Sequence, residues 1–228
     1  MSQQPNTFNF GGMAGSYDDW YNTRLGRTYD ALEKNALARM LPDAMNANRL
    51  LDVGCGTGHW SAFFSTRGFE VIGVDIAPEM IAAARAKRIT NASFQVADAH
   101  ALPFHDGRFD VTAAITTLEF VRDSEAVLRE MARCTSSPGG TILVGVLNAL
   151  ATVNIERQKG GTPPYADARF FSPEQVKAVL APFGKARVAV TTFLPRRAAA
   201  LSLAPLTDFL GRLLHGRRGA FLVGRALR

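Results

Sequence analysis

Cysteine is nearly absent. The 228-residue chain has two, Cys55 and Cys134, too few for a disulfide framework and without metal-ligand spacing. Such usage fits reduced thiols and a cytoplasmic protein. Long apolar runs are missing too, so no segment reads as a membrane span. The opening "MSQQPNTFNFGG" has neither the basic start nor the apolar stretch of a signal peptide. No internal repeat or low-complexity tract stands out. Acidic residues are scarce at one end only. From Lys185 onward nine Lys/Arg accompany one acid, Asp208, giving +8 there within a net charge of +6, so residues 1–184 sum to −2. A uniformly basic surface would have suggested nucleic acid; a local excess points to a local task or to solvated arginines. What remains, 47% hydrophobic and 20% charged residues, is ordinary for one globular domain.

From residue 49 strands and helices alternate. "RLLDVG" is a short apolar run ending at glycine, and "HWSAFFSTRG" reads as a helix closed by Gly68. "EVIGVD" is a second buried strand, followed by "APEMIAAARAKR", a helix with Pro78 in its first turn. "ASFQVAD" and "FDVTAAIT" give two more strands, "DSEAVLREMARCT" a helix capped by Asp123 or Ser124, and "GGTILVGVL" a fifth strand. This alternation predicts a parallel sheet with helices on both faces. Around it, residues 16–41 read as one or two helices, 148–170 as a loop, and 194–216 as an apolar helical stretch interrupted by Pro205 and bracketed by arginines. "ARVAVTTF" and "GAFLVGRAL" read as two final strands in an antiparallel arrangement.

The run "LDVGCGTGHW" sets Asp52 beside Gly54, Gly56 and Gly58. A phosphate loop would need Lys-Ser or Lys-Thr after the last glycine, and His59-Trp60 stand there instead. A dinucleotide fingerprint needs its third glycine one residue later and would not favour Asp52 beside a pyrophosphate. A cationic nucleoside fits better. Asp52, at the first strand end, suits an ammonium, held directly or through water. The glycines let backbone approach the ligand with no Cβ in the way. Asp75, at the second strand end, suits both ribose hydroxyls, and Asp98, at the third, suits an adenine amine, with the Ala99 amide as donor to the ring. One molecule, S-adenosylmethionine, has all these parts and no phosphate.

"LDVGCGTG", "VIGVDIAPEM", "VADAHALPF", "FDVTAAITTLEFV" and "SPGGTILVGV", in order and evenly spaced, resemble the class I S-adenosylmethionine-dependent methyltransferases of the small-molecule type. The resemblance implies an α/β, Rossmann-like doubly wound sheet of seven strands, mostly parallel with the last antiparallel. It implies one domain: a helical lid over residues 1–41, a cofactor-binding core over 42–147, substrate-facing elements over 148–216 and a final strand over 217–228. Ile76 and Met80 take positions that flank the adenine in the family, though core packing is the plainer reading of both. Thr116, after the fourth strand, joins the implied cofactor contacts. Tyr17, Trp20 and Tyr21 fall in the lid, where an aromatic face could meet the sulfonium by a cation–π contact; the other reading is simple packing.

Glu119, in "TTLEF", stands where related enzymes that deprotonate their substrates often carry histidine. It is expected to bind a cationic amine or to act as a base, or to be only a helix-start carboxylate. Cys55 reads as a small residue that fits the loop, His100 and His105 as facing water, and His215 as solvated. The expected function is methyl transfer to a small-molecule acceptor by in-line displacement. The alternatives are a catalytically silent cofactor-binding sensor or partner subunit, and a lipid-head-group methyltransferase at the membrane surface. No metal is expected and nucleic acid is disfavoured. The basic, apolar C-terminal segment admits peripheral membrane contact.

Overall fold

A computed structural model describes residues 10–45, 48–161, 163–195, 198–214 and 216–228; His215 lies outside them. Seven strands are present: β1 (Arg49–Val53), β2 (Glu70–Asp75), β3 (Ala92–Val96), β4 (Val111–Ile115), β5 (Thr141–Leu147), β6 (Lys185–Thr191) and β7 (Phe221–Leu227). They form one sheet in the order β3-β2-β1-β4-β5-β7-β6. Only β7 runs against the rest, pairing antiparallel with β5 and with β6, as the antiparallel ending of the sequence implied. The chain moves outward from β1 through β2 to β3, then returns to place β4 on the other side of β1. Strand order therefore reverses between β1 and β4, and the loop carrying Gly54, Gly56 and Gly58 leaves β1 at that point. Ligands of open parallel sheets bind at such a reversal, beyond the carboxyl ends of the strands.

Period-two alternation divides the strand side chains between two cores. Leu51, Ala114, Ile142, Val144 and Val146 face one core, which α5 (Ser124–Cys134) covers with Val127, Leu128 and Met131, and α7 (Pro173–Leu180) with Val176 and Leu180. Leu50, Ala113, Ile115 and Leu143 face the other, covered by Leu37 of α2 (Arg24–Ala38) and by Trp60, Phe63 and Phe64 of α3 (His59–Thr66). β4 and β5 are buried along their whole length, which is why they read as unbroken apolar runs. The cap of α5 is Asp123, whose side chain accepts the Ala126 N–H at 2.9 Å, worth about 1 kcal/mol.

Two stretches depart from the sequence reading. Residues 148–170, expected as a loop, contain α6 (Thr152–Lys159). Buried Asn154 fastens that helix by donating to the Asn148 and Ala220 carbonyls at 2.9 and 2.8 Å. α7 was not anticipated, although "SPEQ" carries its capping box: Ser172 and Gln175 bond each other's backbone N–H. The stretch holding Pro205 does change at that proline: a 3-10 helix (Ala198–Leu203) gives way to α8 (Ala204–Leu213), with Pro205 in its first turn. The segment 148–216 thus includes a sheet strand, β6, besides its covering elements. No helix among the described residues is long and apolar enough to cross a membrane.

Candidate active site

Beyond the ends of β1–β4 lies a solvent-open cleft of about 710 Å³ whose wall includes Gly54, Gly56, Asp75, Ile76, Met80, Asp98, Ala99 and Thr116. The loop takes its shape from backbone that glycine adopts without strain: φ is 71° at Gly54 and 53° at Gly56. A Cβ on Gly56 would meet no atom within 4 Å, because that position opens on the cleft. Asp75 holds the loop in place. Its Oδ2 accepts the Gly56 N–H at 2.9 Å and its Oδ1 the Ala77 N–H at 2.9 Å. Each oxygen keeps a lone pair for a ligand hydroxyl. Burial raises the Asp75 pKa against these hydrogen bonds.

Among the described wall residues there is no lysine or arginine. Ile76, 56% exposed, and buried Met80 offer an apolar surface. Asp98 faces solvent, its pKa lowered first by the His100 backbone N–H bonded to its carboxylate. His100 does not simply face water. Its Nδ1–H bonds Asp98 Oδ1 at 2.7 Å while its Nε2 accepts the Asp123 N–H at 3.3 Å, roles that place the proton on Nδ1, and the ring lines the cleft.

Two members of the glycine motif are not on this wall. Asp52, 1% exposed, lies beneath the loop, where its Oδ2 accepts Ser61 Oγ–H at 2.6 Å. Burial pushes its pKa up to about 7. Direct contact with a ligand ammonium is thus replaced by a link between the end of β1 and α3. Gly58, with φ 81°, caps α3; a Cβ there would meet Ile89, Phe94 and Ala84 at 3.0–3.3 Å. It serves packing, not ligand approach.

A second cleft, about 1080 Å³, adjoins the first, and Phe10, Tyr17, Thr116 and Phe120 belong to both walls. Thr116 has φ 50°, an uncommon conformation for a β-branched residue and one that concentrates at functional sites. Tyr17, bonded to the Thr116 side chain, is the only one of the three lid aromatics on the first wall. Trp20 and Tyr21 line only the second, which corrects their expected place beside the cofactor. Tyr21 stacks on His59 with centroids 3.6 Å apart, and His59 Nε2 contacts Asp30 at 2.6 Å. The segment is latched to the glycine loop by Thr57 Oγ–H bonding Asp18 at 2.7 Å.

The second cleft also brings together residues that sequence reasoning passed over. Tyr29, Trp60 and Tyr165 add aromatic wall, and Glu33 is its carboxylate. Burial raises the Glu33 pKa to about 8, helped by Asp30 and opposed by Arg157. Arg157, also on the wall, lies 5.3–5.9 Å from the centroids of Trp20, Tyr29 and Tyr165. The sole signal for Glu33 was its place within a run of helix formers, which any solvated glutamate shares.

Glu119 is on neither wall. It is 2% exposed, its Oε1 accepts the Leu147 N–H at 2.6 Å, and its Oε2 has no partner. Burial raises its pKa to about 8. It ties the loop after β4 to the end of β5, away from both cleft walls, where the sequence reading had offered an amine ligand, a base or a helix-start carboxylate.

Residues 51–144 match the family model described as Methyltransferase domain. An uncharacterized protein of Mycobacterium bovis is 30% identical over 174 residues, 75% of this chain and 58% of that protein. A malonyl-[acyl-carrier protein] O-methyltransferase of Hamiltonella defensa is 32% identical over 138 residues, 59% of this chain and 52% of that protein. The chain thus spans little more than half the length of these relatives. A Thermotoga maritima structure described as a "SAM-dependent methyltransferase, possible histamine N-methyltransferase" superposes with a TM-score of 0.74 at 24% identity, covering 95% of this chain and 97% of that one. At that identity the likeness shows the fold. Residues 51–144 are thus similar to the Methyltransferase domain family, and the chain shares the fold of the S-adenosylmethionine-dependent methyltransferase structures on which it superposes.

Proposed function

We propose that the protein transfers a methyl group from S-adenosylmethionine, held by Gly54, Gly56, Asp75, Ile76, Met80, Asp98 and Ala99, to a small ring-bearing acceptor in the aromatic cleft. The observation that carries this reading is the shared wall of the two clefts at Phe10, Tyr17, Thr116 and Phe120. When bound, the cofactor supplies a sulfonium-activated methyl group open to in-line displacement. The chain's part is alignment and exclusion of water, and ordering two reactants this way is worth about 7–11 kcal/mol of the barrier. Asp75 binds the ribose hydroxyls and keeps the loop in shape. Phe10, Tyr17 and Phe120 close the boundary against solvent. Glu33, mostly protonated at neutral pH, both donates to and accepts from a polar atom of the acceptor.

The test is methyl transfer from radiolabelled cofactor to a panel of aromatic amines, phenols and carboxylic acids. The panel spans both kinds of chemistry that the relatives' names describe for those proteins. Turnover with at least one member is expected; cofactor binding with no transfer to any would favour the silent sensor. Once an acceptor is found, Glu33→Ala should raise its KM about tenfold, the value of one buried hydrogen bond, with kcat nearly unchanged. A fall in kcat at constant KM would instead make Glu33 a proton-transfer group.

A further inference from the structure

α8 turns its apolar side outward. Its inner face is Ala204, Asp208 and Gly211. Asp208, buried, accepts Thr191 Oγ–H at 3.0 Å and the N–H groups of Thr192 and Phe193 at 2.6 and 3.2 Å, and a Cβ on Gly211 would strike the Phe193 ring. The outer face carries Leu206, Phe209, Leu210 and Leu213, with Leu203 and Leu214 at its ends, all 43–77% exposed. These six side chains form one contiguous helical stripe, far beyond the scattered apolar residues of an ordinary surface. Arg212 pairs with Asp208 at 2.8 Å, and Arg217, just beyond the helix, pairs with Glu174.

Charge decides what covers this stripe. In sequence, residues 194–218 hold five arginines and one acid, and that acid is the buried Asp208. A second copy of the chain docked through a two-fold axis would bring together two segments that each carry a net +4 in sequence. An anionic bilayer instead accepts the leucines and Phe209 between its acyl chains and attracts the arginines at the headgroups. We infer that α8 is an interfacial anchor that docks the protein on membranes rich in anionic lipid. This inference stands apart from the methyl-transfer reading, since none of the six outer residues lines either cleft.

The experiment is flotation of the full chain with vesicles of phosphatidylcholine alone and of phosphatidylcholine mixed equally with phosphatidylglycerol. The wild type should float with the anionic vesicles, stay behind with the neutral ones, and be released by high salt. Phe209→Ser/Leu213→Ser should lower partitioning on the order of a hundredfold, about tenfold for each withdrawn side chain. Its melting temperature and binding of S-adenosylhomocysteine should be unchanged, because both residues already face solvent. The proposal is overturned if the wild type ignores anionic vesicles or if the double variant floats equally well. It is also overturned if light scattering shows a wild-type dimer that the double variant abolishes, which would give the stripe to a second copy.

Discussion

Asp75→Ala is expected to weaken binding of S-adenosylmethionine and S-adenosylhomocysteine by on the order of a thousandfold. The estimate comes from two losses at once. Two hydrogen bonds from ligand hydroxyls to a carboxylate disappear, each worth about 1.5–3 kcal/mol. The Gly56 and Ala77 N–H groups, held by Asp75 at 2.9 Å, also lose their acceptor, so the loop loses the geometry that opens it on the cleft. Asp75→Asn separates the two effects. Asparagine retains an oxygen acceptor but places an N–H₂ group where one backbone donor points, so its loss should be intermediate. Titration calorimetry measures all three proteins. Affinity for S-adenosylhomocysteine unchanged in a folded Asp75→Ala variant would remove the cofactor from this cleft.

The second large effect concerns stability. Glu119 is buried with one oxygen unpartnered, and its pKa is raised from 4.5 to about 8. An acid whose folded pKa is raised binds a proton more tightly folded than unfolded. Its contribution to stability is therefore complete below the unfolded value and lost as pH rises toward the folded one. Glu119→Gln removes that dependence while keeping an oxygen for the Leu147 N–H. Unfolding in denaturant should show the variant equal to wild type at about pH 4, and more stable by roughly 2–5 kcal/mol at about pH 9. Equal destabilisation at both pH values would mean that the amide does not fit and that the carboxyl's charge is not the issue. Asp52 and Glu33, raised to about 7 and about 8, push wild-type stability the same way, so the whole protein should be more stable in mild acid than in mild alkali.

The β-α alternation was legible because each element depends on its own residues. Buried strands are short apolar runs, Pro78 and Asp123 begin helices, and glycine allows positive φ. The strand-end carboxylates Asp75 and Asp98 reached the cleft for the same reason, since the sheet puts the ends of β2 and β3 side by side. Asp52 ends β1 too, yet faces Ser61, because α3 packs against that side of the strand. Whether a strand-end acid meets ligand or protein depends on the helix beside it.

Sequence alone determined the fold, the glycine loop and the carboxylates at the second and third strand ends, all set by local backbone preference and by the regular geometry of a parallel sheet. Tertiary structure decided the rest. Packing of α2 against α3 and α6 assembled Glu33, Trp60 and Arg157 into one cleft from distant parts of the chain, and set Tyr17 on both clefts but Trp20 and Tyr21 on the second alone. It also turned α8 over: an apolar stripe would ordinarily face the core, but the carboxylate of Asp208 found three donors at the end of β6. Those bonds, with the Arg212 pair, fix Asp208 on the inner side of α8 and leave its leucines outside.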